Sequence, residues 1–466
     1  MNLIRDFLRL RQIISALIEV GLGRIIKNLG LNWCSPLWCR IKCFAMGKRC
    51  PPHDYPTQLR VTFEKLGPTF IKLGQVLSMR PDFVPPEYVE EFKKLQEHAP
   101  QVDFHEIKRI IETELKTLLS DAFSEFDESP LASASLGQVH RARLKKSGEV
   151  VAIKVQRPNI TPLIQTDLRL LHKIAALLEK HVLEVRNYRP TKAIKEFEKS
   201  MKRELDYITE GRNADLMRYN FRQEVGIKIP KIFWDYSTSK VLTMEFISGT
   251  RMGDMNNLSR QGFNHQELMD HCTRACLLPP ISHGFFHADP HPGNVWALNG
   301  NIVCYLDFGM MGVISRELKQ RLMLLFLALT EQDIEMALFY LMGLVESNEN
   351  SDPEQFRIEA ASHIISFLSG ENSSSSTLTQ TFYKIISSGS KYSVYFPSQL
   401  ILLAKAMVTG ESMCRLSHPD MDYLKVSRPL LQEIYEKEFG IKRIISSYRL
   451  YIPKIISFLD HLGSSN

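Results

Sequence analysis

The second half of the chain contains three oxygen-bearing side chains whose types and spacing suit phosphoryl transfer. Residues 287–294 read His-Ala-Asp-Pro-His-Pro-Gly-Asn, and Leu-Asp-Phe-Gly follows at residues 306–309. Mg²⁺ prefers oxygen ligands, which Asn294 and Asp307 would provide. Asp289 would orient an attacking hydroxyl or water and accept its proton. A phosphoryl group in transfer spreads negative charge over its oxygens, so these residues predict a site that uses a bridging metal ion.

The spacing of these residues is that of two protein-kinase elements. Asp289 and Asn294 are five residues apart, as in the kinase catalytic loop, and Asp307 opens an Asp-Phe-Gly segment that follows in the expected order. Asp-Phe-Gly alone arises by chance in turns. The two elements together favour a kinase-like site over two unrelated loops.

A hydrolytic zinc site is the main alternative for the same segment, because imidazoles suit zinc. Its ligands would be His283, His287, His291 and Asp289. Pro290 and Pro292 prevent the regular helix that would align the three histidines. This alternative also leaves Asn294 and Asp307 without a role.

A kinase-like site requires a lysine on an upstream strand, and Lys154 in Val-Val-Ala-Ile-Lys-Val at residues 150–155 meets that requirement. Its ammonium would need the ATP phosphates and a helix carboxylate as partners. Glu210, 56 residues further on, is the predicted carboxylate, although a solvated helix acid is a serious alternative. In the next strand, Met244 would lie against the adenine and Glu245 at the start of the hinge.

The phosphate loop of this chain is rich in alanine and serine where kinases have glycine. The predicted nucleotide-binding residues there are Ala132, Ser133, Ala134 and Ser135. Methyl groups replace hydrogens in this loop, so the backbone approaches phosphates less freely and nucleotide selectivity or turnover would change. A plain loop is the alternative.

The segment Phe-Ile-Lys-Leu-Gly-Gln at residues 70–75 places Lys72 and Gln75 on one helical face. Together with the alanine-rich loop, Glu-Leu-Asp at residues 204–206 and the 287–294 loop, this segment resembles the UbiB/AarF (ADCK-type) atypical kinases. That family is tied to ubiquinone biosynthesis, and the resemblance covers residues 66–312. It implies ATP and Mg²⁺ as cofactors and a bilobal, protein-kinase-like fold with an N-terminal KxGQ helical extension.

The resemblance also implies that the KxGQ helix covers the pocket where a polypeptide substrate would dock, with Lys72 near Glu204. The implied regulatory residues are Lys72, Gln75, Glu204 and Asp206. From the residues alone, an ordinary solvated helix surface is the alternative. The chain also lacks the catalytic-loop Arg that would pair with an activation-loop phosphate. Ser315 already looks like a helix start, so a platform for protein substrates is expected to be absent.

Basic residues are concentrated at the N-terminus. Residues 1–60 contain ten Lys and Arg against three acidic residues, a net charge of +7, whereas the whole chain carries +6. This distribution argues against a chain-wide nucleic-acid surface and favours an N-terminal element that meets something anionic. The same segment has an apolar stripe at helical spacing that predicts an amphipathic helix: Leu3, Phe7, Leu10, Ile14, Leu17 and Ile18. That helix could lie in a membrane interface, pack on the rest of the protein, or belong to a mitochondrial transit segment.

The eight cysteines follow no recognisable signal peptide, which favours a reducing compartment. The spacing of Cys34, Cys39, Cys43 and Cys50 is wider than that of typical structural zinc pairs. Buried thiols are the simpler interpretation, and a zinc site is the alternative. No membrane-spanning helix is predicted, because charges and a proline interrupt residues 441–462.

The order of elements predicts a helix-rich α+β fold rather than an alternating doubly wound sheet. The expected domains are a basic N-terminal helix and linker (1–60), a KxGQ helical extension (61–125), an N-lobe with a helical insertion (126–250) and a helical C-lobe (251–466). Residues 162–219 are expected to be one long helical stretch.

The predicted function is an ATP- and Mg²⁺-dependent atypical kinase or ATPase that supports ubiquinone (prenylquinone) synthesis. It would be cytoplasmic and peripheral at the inner face of a membrane, or on the mitochondrial matrix side if the source is eukaryotic. Expected partners are anionic lipid or prenylquinone and quinone-biosynthesis enzymes, with no nucleic acid. The alternatives are a small-molecule phosphotransferase of the aminoglycoside-kinase type and a nucleotide-sensing scaffold with negligible turnover.

Overall fold

The computed structural model describes residues 2–19, 55–78, 83–95, 101–182, 186, 188–369, 377–417 and 423–439. Helices and strands are segregated along the chain, and the described strand pairs are antiparallel except for residues 227–228 with residues 303–304, so the fold is α+β as expected. Two compact units are present. One consists of Met1–Arg218, Ile229–Ser248 and Asp307–Met310, and the other of Tyr219–Lys228, Gly249–Leu306 and Met311–Asn466.

An antiparallel sheet forms the centre of the first unit. Its strands pair in the order β1-β3-β4-β6, with β2 also on β3. They are β1 (Phe123–Phe126), β2 (Ala132–Ser133), β3 (Gly137–Leu144), β4 (Val150–Gln156) and β6 (Val241–Glu245). Alternate residues of β4, namely Val151, Ile153 and Val155, are fully buried in a hydrophobic core. Lys154 lies on the opposite face of the strand, because successive side chains alternate between the two faces.

The helices of the first unit precede and follow this sheet. They are α1 (Asn2–Glu19), α2 (Tyr55–Leu66), α3 (Pro68–Ser78), α4 (Pro86–Phe92), α5 (Phe104–Leu115), α6 (Leu119–Ala122), α7 (Ile160–His181), α8 (Pro190–Glu204) and α9 (Tyr207–Asn220). Helix α5 packs its apolar face, with Ile107 and Ile111, against the sheet. Helices α1 to α4, α7 and α8 share a second core around Phe70, Phe92 and Phe197. The KxGQ segment is therefore part of a packed helical layer.

The strands of the second unit form two small sheets. One has the order β5-β10-β9-β7 and the other pairs β11 with β8. The strands are β5 (Ile227–Lys228), β7 (Thr250–Arg251), β8 (Phe285–His287), β9 (Val295–Leu298), β10 (Ile302–Tyr305) and β11 (Met311–Val313). The loop of residues 288–294 thus runs from β8 to β9.

The helices of the second unit make up most of it. They are α10 (Met255–Arg260), α11 (His265–Leu278), α12 (Arg316–Thr330), α13 (Ile334–Met342), α14 (Pro353–Leu368), α15 (Leu378–Ser388), α16 (Ser398–Ser417) and α17 (Tyr423–Phe439). Ser315 accepts a hydrogen bond from the Leu318 N–H and begins α12, the helix start that the sequence indicates. A five-residue π-helical turn, Pro279–His283, extends α11. Two short 3₁₀ turns, Trp234–Tyr236 in the first unit and Gly389–Tyr392 in the second, complete the regular structure.

The single helical stretch predicted for residues 162–219 is wrong. The chain leaves α7 after His181, and Arg189 takes a left-handed conformation directly before Pro190 opens α8. A second break follows Glu204. The Asp206 carboxylate accepts from the Ile208 N–H and the Thr209 hydroxyl, and so caps α9.

Helix α1 packs on the helices of its own unit. Ile13 is 1% exposed, and the Arg9 guanidinium donates to the buried Asp167 carboxylate at 2.7 and 3.0 Å. Arg9 also donates to the Leu66 carbonyl at 2.7 Å. One face of α1 therefore packs on the protein, which was one of the predicted alternatives. Ile4 and Leu8 are exposed on another face.

Several predicted features fall outside the described residues: Cys34, Cys39, Cys43 and Cys50, and residues 441–462. Among the described helices, none combines the length and the apolar character needed to cross a bilayer.

Candidate active site

A buried ion pair joins the sheet of the first unit to helix α9. The Lys154 Nζ lies 2.8 Å from each carboxylate oxygen of Glu210, whose side chain is 2% exposed. Burial disfavours the ammonium, but the Asp307 and Glu210 carboxylates outweigh it and raise the pKa of Lys154 well above its ordinary value. The lysine is therefore a fixed positive charge.

Two glycines permit the close packing that brings Glu210 to Lys154. A Cβ at Gly211 would lie 2.8 Å from the Trp234 ring and 3.1 Å from Leu242, so a glycine there lets α9 approach the sheet closely. A Cβ at Gly137 would lie 2.5 Å from the Tyr207 hydroxyl. The Tyr207 ring lies beneath the ammonium, with its centroid 5.1 Å from Nζ.

The Asp-Phe-Gly segment belongs to the same unit and is fastened to α9. The Asn213 side-chain amide donates to the Phe308 carbonyl at 2.9 Å, and the Gly309 N–H donates to Asp307 Oδ1 at 2.9 Å. The Phe308 ring is buried. The turn therefore fixes the Asp307 carboxylate near the Lys154 charge.

The KxGQ helix α3 is also tied to this region. Lys72 Nζ lies 2.9 Å from the Glu204 carboxylate, with side chains 14% and 11% exposed. Gln75 donates to the Leu95 carbonyl at 3.3 Å. A Cβ at Gly74 would collide with Leu95 and Phe63, so this glycine allows the close packing of α3. These contacts are not those of an ordinary solvated helix surface.

The alanine-rich loop is a tight hairpin. Ala132 and Ser133 pair with Val139 and Gln138, and the Ala134 N–H donates to the Gly137 carbonyl at 2.9 Å. The Ser135 side chain is buried, and its hydroxyl has no hydrogen-bond partner within the described part of the chain.

Arg157, which the sequence analysis does not identify, clamps this hairpin. Its guanidinium donates to the Ala134 carbonyl at 2.9 Å and to the Ser133 hydroxyl at 2.8 Å. An arginine three residues after the strand lysine is the signal that could have pointed to it.

Met244 and Glu245 end strand β6. Met244 is buried and pairs with Ala152 of β4, and the Glu245 carboxylate accepts from the Lys231 N–H at 3.3 Å. Their roles at adenine and hinge stay predictions.

The 287–294 loop belongs to the second unit, and hydrogen bonds within the loop fix its conformation. The Asp289 N–H donates to the His287 ring at 3.1 Å, and the Gly293 N–H donates to the His291 ring at 3.1 Å. The Asn294 N–H donates to the His291 carbonyl at 2.9 Å. The two imidazoles therefore shape the loop. No group of three or more His, Cys, Asp or Glu residues suited to a metal ion occurs in the described ranges.

The Asp289 carboxylate has a partner that the sequence analysis does not identify. Lys405 on α16 donates to Asp289 Oδ1 at 2.8 Å. Burial raises the pKa of Asp289, but the Lys405 charge outweighs it and holds the pKa below its ordinary value. Lys405 is the sole charged residue between Ser398 and Gly410, and a lone charge in an apolar run is the signal that could have found it.

Asp307 and Asn294 each carry the kind of oxygen donor that Mg²⁺ takes. Asp307 offers a carboxylate and Asn294 an amide oxygen, and Mg²⁺ in nucleotide sites is held by one or two such groups together with phosphates. Asp307 lies in the first unit and Asn294 in the second.

The comparisons with known proteins decide the family. Residues 94–341 match the sequence profile of the ABC1 atypical kinase-like domain. The chain belongs to that family. It is 30% identical over 455 residues to the "Probable protein kinase UbiB" of Aeromonas hydrophila, and this match covers 96% of the chain and 83% of that protein.

Two further relatives are longer than this chain. The chain is 35% identical over 381 residues to "Protein ACTIVITY OF BC1 COMPLEX KINASE 7, chloroplastic" of Arabidopsis thaliana, and this match covers 81% of the chain and 54% of the plant protein. It is 36% identical to Synechocystis sp. sll1770, over 82% of the chain and 65% of that protein. The chain thus spans just over half of the plant relative and about two thirds of the cyanobacterial one.

A solved structure supports the fold. The complex of Rv3197 with erythromycin from Mycobacterium tuberculosis matches with a TM-score of 0.53 and 21% identity, over 76% of this chain and 90% of that one. The ABC1-family chain therefore has the predicted protein-kinase-like fold.

Proposed function

We propose that this ABC1-family protein is an ATP- and Mg²⁺-dependent atypical kinase or ATPase that supports ubiquinone (prenylquinone) biosynthesis at a membrane surface. The observation that carries the proposal is the buried Lys154–Glu210 pair with Asp307 beside it. A permanently charged lysine set among carboxylates suits the binding of ATP phosphates and a metal ion.

Each candidate residue has a defined part in this proposal. Lys154, oriented by Glu210, binds the α- and β-phosphates, with the alanine-rich hairpin beside them. Met244 and Glu245 receive the adenine. Asn294 and Asp307 hold Mg²⁺, which neutralises phosphate charge when bound.

Asp289 accepts the proton of the attacking group. An oxygen of water or of an acceptor hydroxyl attacks the γ-phosphorus and forms the new O–P bond while its proton passes to Asp289. The bond between the γ-phosphorus and the β–γ bridging oxygen breaks, and ADP leaves with the electron pair.

The packed KxGQ helix favours a small acceptor or water over a protein substrate. Lys72 and Glu204 form a mostly buried pair, and Gln75 is tied to Leu95. Such a helix is costly to displace, because breaking a buried pair leaves an uncompensated charge. The same helix argues against the open acceptor pocket of an aminoglycoside-type phosphotransferase. We assign Lys72, Gln75, Glu204 and Asp206 a regulatory role, in which Asp206 acts through the start of α9.

A membrane role rests on the exposed face of α1. Ile4, Phe7 and Leu8 are exposed on a helix that also exposes Arg5 and Arg11. Apolar side chains flanked by arginines suit an interface of anionic lipid. UbiB is the name of relatives that match nearly the whole chain, and from it we infer action on prenylquinone lipids or with quinone-biosynthesis enzymes, at the inner face of the membrane.

A nucleotide-sensing scaffold is the second candidate. The alanine-rich hairpin favours it, because Arg157 holds the loop through hydrogen bonds and the alanine methyl groups limit close approach to phosphates. High ATP affinity with negligible phosphate release would identify a scaffold.

The Asp307→Asn substitution tests the main proposal. It preserves shape and removes the metal-binding charge, so we expect phosphate release to fall at least about a hundredfold. ATP binding would no longer depend on Mg²⁺, and the circular dichroism spectrum would be unchanged. Phosphate release is measured with and without anionic liposomes.

Asp235→Asn is the matched control, because Asp235 is an exposed acid of the same unit. Turnover and Mg²⁺ dependence in Asp307→Asn equal to those of Asp235→Asn would disprove the site. The quinone role is tested by the metabolite profile of a deletion strain, where we expect lost quinone and accumulated prenylated precursor. Unchanged quinone would refute that part alone.

A further inference from the structure

Helix α16 of the second unit brings a cation to the proposed catalytic carboxylate from more than a hundred residues downstream. Lys405 donates to Asp289 Oδ1 at 2.8 Å, and both side chains are largely buried, at 21% and 28% exposure. The neighbours of Lys405 along the helix, Ala404 and Ala406, are buried and apolar. A charge placed in such a packed, apolar part of a helix needs a specific reason, and the Asp289 carboxylate supplies one.

We infer that Lys405 is a positioning residue for phosphoryl transfer, fixing Asp289 in one orientation and in its ionised form. The inference rests on the proposed function, because it gives Lys405 a part in the proton transfer that Asp289 performs there. The 287–294 loop itself has no lysine or arginine, so α16 supplies the cation that the loop lacks.

The geometry explains why such a device is needed. Asp289 lies between Pro290 and the end of strand β8, where burial favours the protonated acid. A protonated Asp289 cannot accept the proton of an attacking hydroxyl. The ammonium at 2.8 Å opposes protonation and holds one oxygen, leaving the second to face the attacking group.

The other groups around Asp289 do not replace this cation. Within the second unit, His287 and His291 of its own loop also lower the pKa of Asp289, but less than Lys405 does. Both rings accept a backbone N–H at Nδ1, so this nitrogen of each ring is used within the loop. Strand β11, which pairs with β8 and packs on α16, has no ionisable side chain between Met311 and Val313.

Lys405→Met and Lys405→Arg separate positioning from packing. Methionine fits an apolar helix and keeps much of the length of the side chain, so we expect a folded protein with unchanged ATP affinity. We expect kcat for phosphate release to fall on the order of tenfold to a hundredfold, with KM for ATP unchanged. The acidic limb of the kcat profile should move up by about one pH unit, because an opposite charge no longer lowers the pKa of Asp289. The arginine variant should retain most of kcat and keep the limb near its original position.

Lys391→Met is the matched control. Lys391 makes a lysine–carboxylate pair of similar length, 2.9 Å to Glu359, in the same unit and away from Asp289. Its substitution should leave kcat and the pH profile as in the unmodified protein. Two results would overturn the inference: an unchanged kcat in Lys405→Met, or a kcat in Lys405→Arg as low as that of Lys405→Met.

A measurement without turnover separates this inference from the proposed function. The pKa of the Asp289 carboxyl is followed by carbon NMR in the unmodified protein and in Lys405→Met. A higher pKa in the variant supports the positioning role even if the protein hydrolyses no ATP, in which case only the proposed activity fails. Equal values in the two proteins overturn the role of Lys405 whatever the activity.

Discussion

Lys154 and Glu210 form a largely buried ion pair in the first unit. Glu210 is 2% exposed, and its charge is compensated by the ammonium at 2.8 Å. A buried charge that loses its partner bears the full cost of leaving water. The pair should therefore matter to folding as well as to nucleotide binding.

We expect Glu210→Gln to lower the free energy of unfolding by about 3 kcal/mol, because it leaves a buried ammonium short of one counter-charge. ATP affinity should fall as well, since Lys154 loses its orientation. Urea unfolding and calorimetric titration measure the two effects.

Glu114→Gln is the control for this substitution. Glu114 pairs with Lys240 of the same unit, but the lysine is 52% exposed, so the loss should stay below about 1 kcal/mol. Equal losses in the two variants would show that the burial of Glu210 has no special weight.

The sequence predicts Lys154 and Asp307 because each lies in a motif. Glu210 was chosen among the acids of one predicted helix, since no motif fixes its distance of 56 residues from Lys154. Lys405 was missed, because the lone charge in an apolar helix marks the lysine but not its partner 116 residues away. Arg157 was missed for a related reason. Its partners are a backbone carbonyl and a serine hydroxyl, which no charge pattern reveals.

At the scale of elements, the alanine-rich hairpin and α9 are packed against each other at Gly137. Its missing side chain leaves room for the Tyr207 hydroxyl and for the Val155 carbonyl of the neighbouring strand. A methyl group would lie 2.5 and 2.6 Å from these atoms. The hairpin is therefore set by backbone contact rather than by turn chemistry alone.

We expect Gly137→Ala to destabilise the protein by about 3 kcal/mol, at the upper end for overpacking, because one of the obstructing atoms is backbone. Nucleotide affinity should fall with it, since the hairpin must shift. Thermal and urea unfolding measure the first effect, and ATP titration the second.

Gly253→Ala serves for comparison. There the added carbon would meet its nearest neighbour, Pro292, at 3.3 Å, so a small adjustment suffices. If the Gly137→Ala protein were as stable as the Gly253→Ala protein, the hairpin would accommodate the added methyl group at little cost, and the prediction would be wrong.

Hydrophobic periodicity predicted that helices are present more reliably than it predicted the residues at which they end. The apolar pattern of residues 162–219 continues across Leu205 and Asp206, yet the Asp206 cap starts a new helix there. A capping carboxylate and an ordinary solvated helix acid look alike in a sequence. The packing of α1 was likewise open, because a stripe of leucine and isoleucine suits a lipid surface as well as a protein core.

At the scale of the whole molecule, stability depends on pH through groups that folding buries. His140 is fully buried, and burial lowers its pKa, although the Asp127 carbonyl partly opposes this effect. The ring also lies 3.3 Å from the Gln138 side-chain amide, so both nitrogens are engaged.

The sign of this pH dependence follows from linkage. A histidine whose folded pKa is depressed contributes stability above its unfolded pKa of about 6.5, and loses it as the pH falls towards the folded value. We expect the free energy of unfolding to rise as the pH increases from the depressed pKa of folded His140 to the unfolded value of about 6.5, and His140→Gln to flatten this rise. Denaturant titrations across this range measure it.

His105→Gln is the control, since that histidine is exposed on α5 of the same unit. It should leave the slope unchanged. If both substitutions reduced the pH dependence of the free energy of unfolding equally, the effect would come from the overall charge of the protein and not from the burial of His140.

Each domain predicted from the sequence is one uninterrupted range of residues, and these domain boundaries stay predictions. Composition and periodicity describe neighbours along the chain, whereas a compact unit can recruit a distant segment through packing. Asp307–Met310 is such a segment, grouped with residues that precede it by more than fifty positions.

That recruitment has a practical result for dissecting the protein. A fragment cut after Ser248 would retain Lys154 and Glu210 while discarding Asp307, the strongest of the charges that favour the lysine ammonium. Its lysine would give up a proton more readily than in the intact chain. Truncation alone would thus alter the chemistry of a side chain more than 90 residues from the cut.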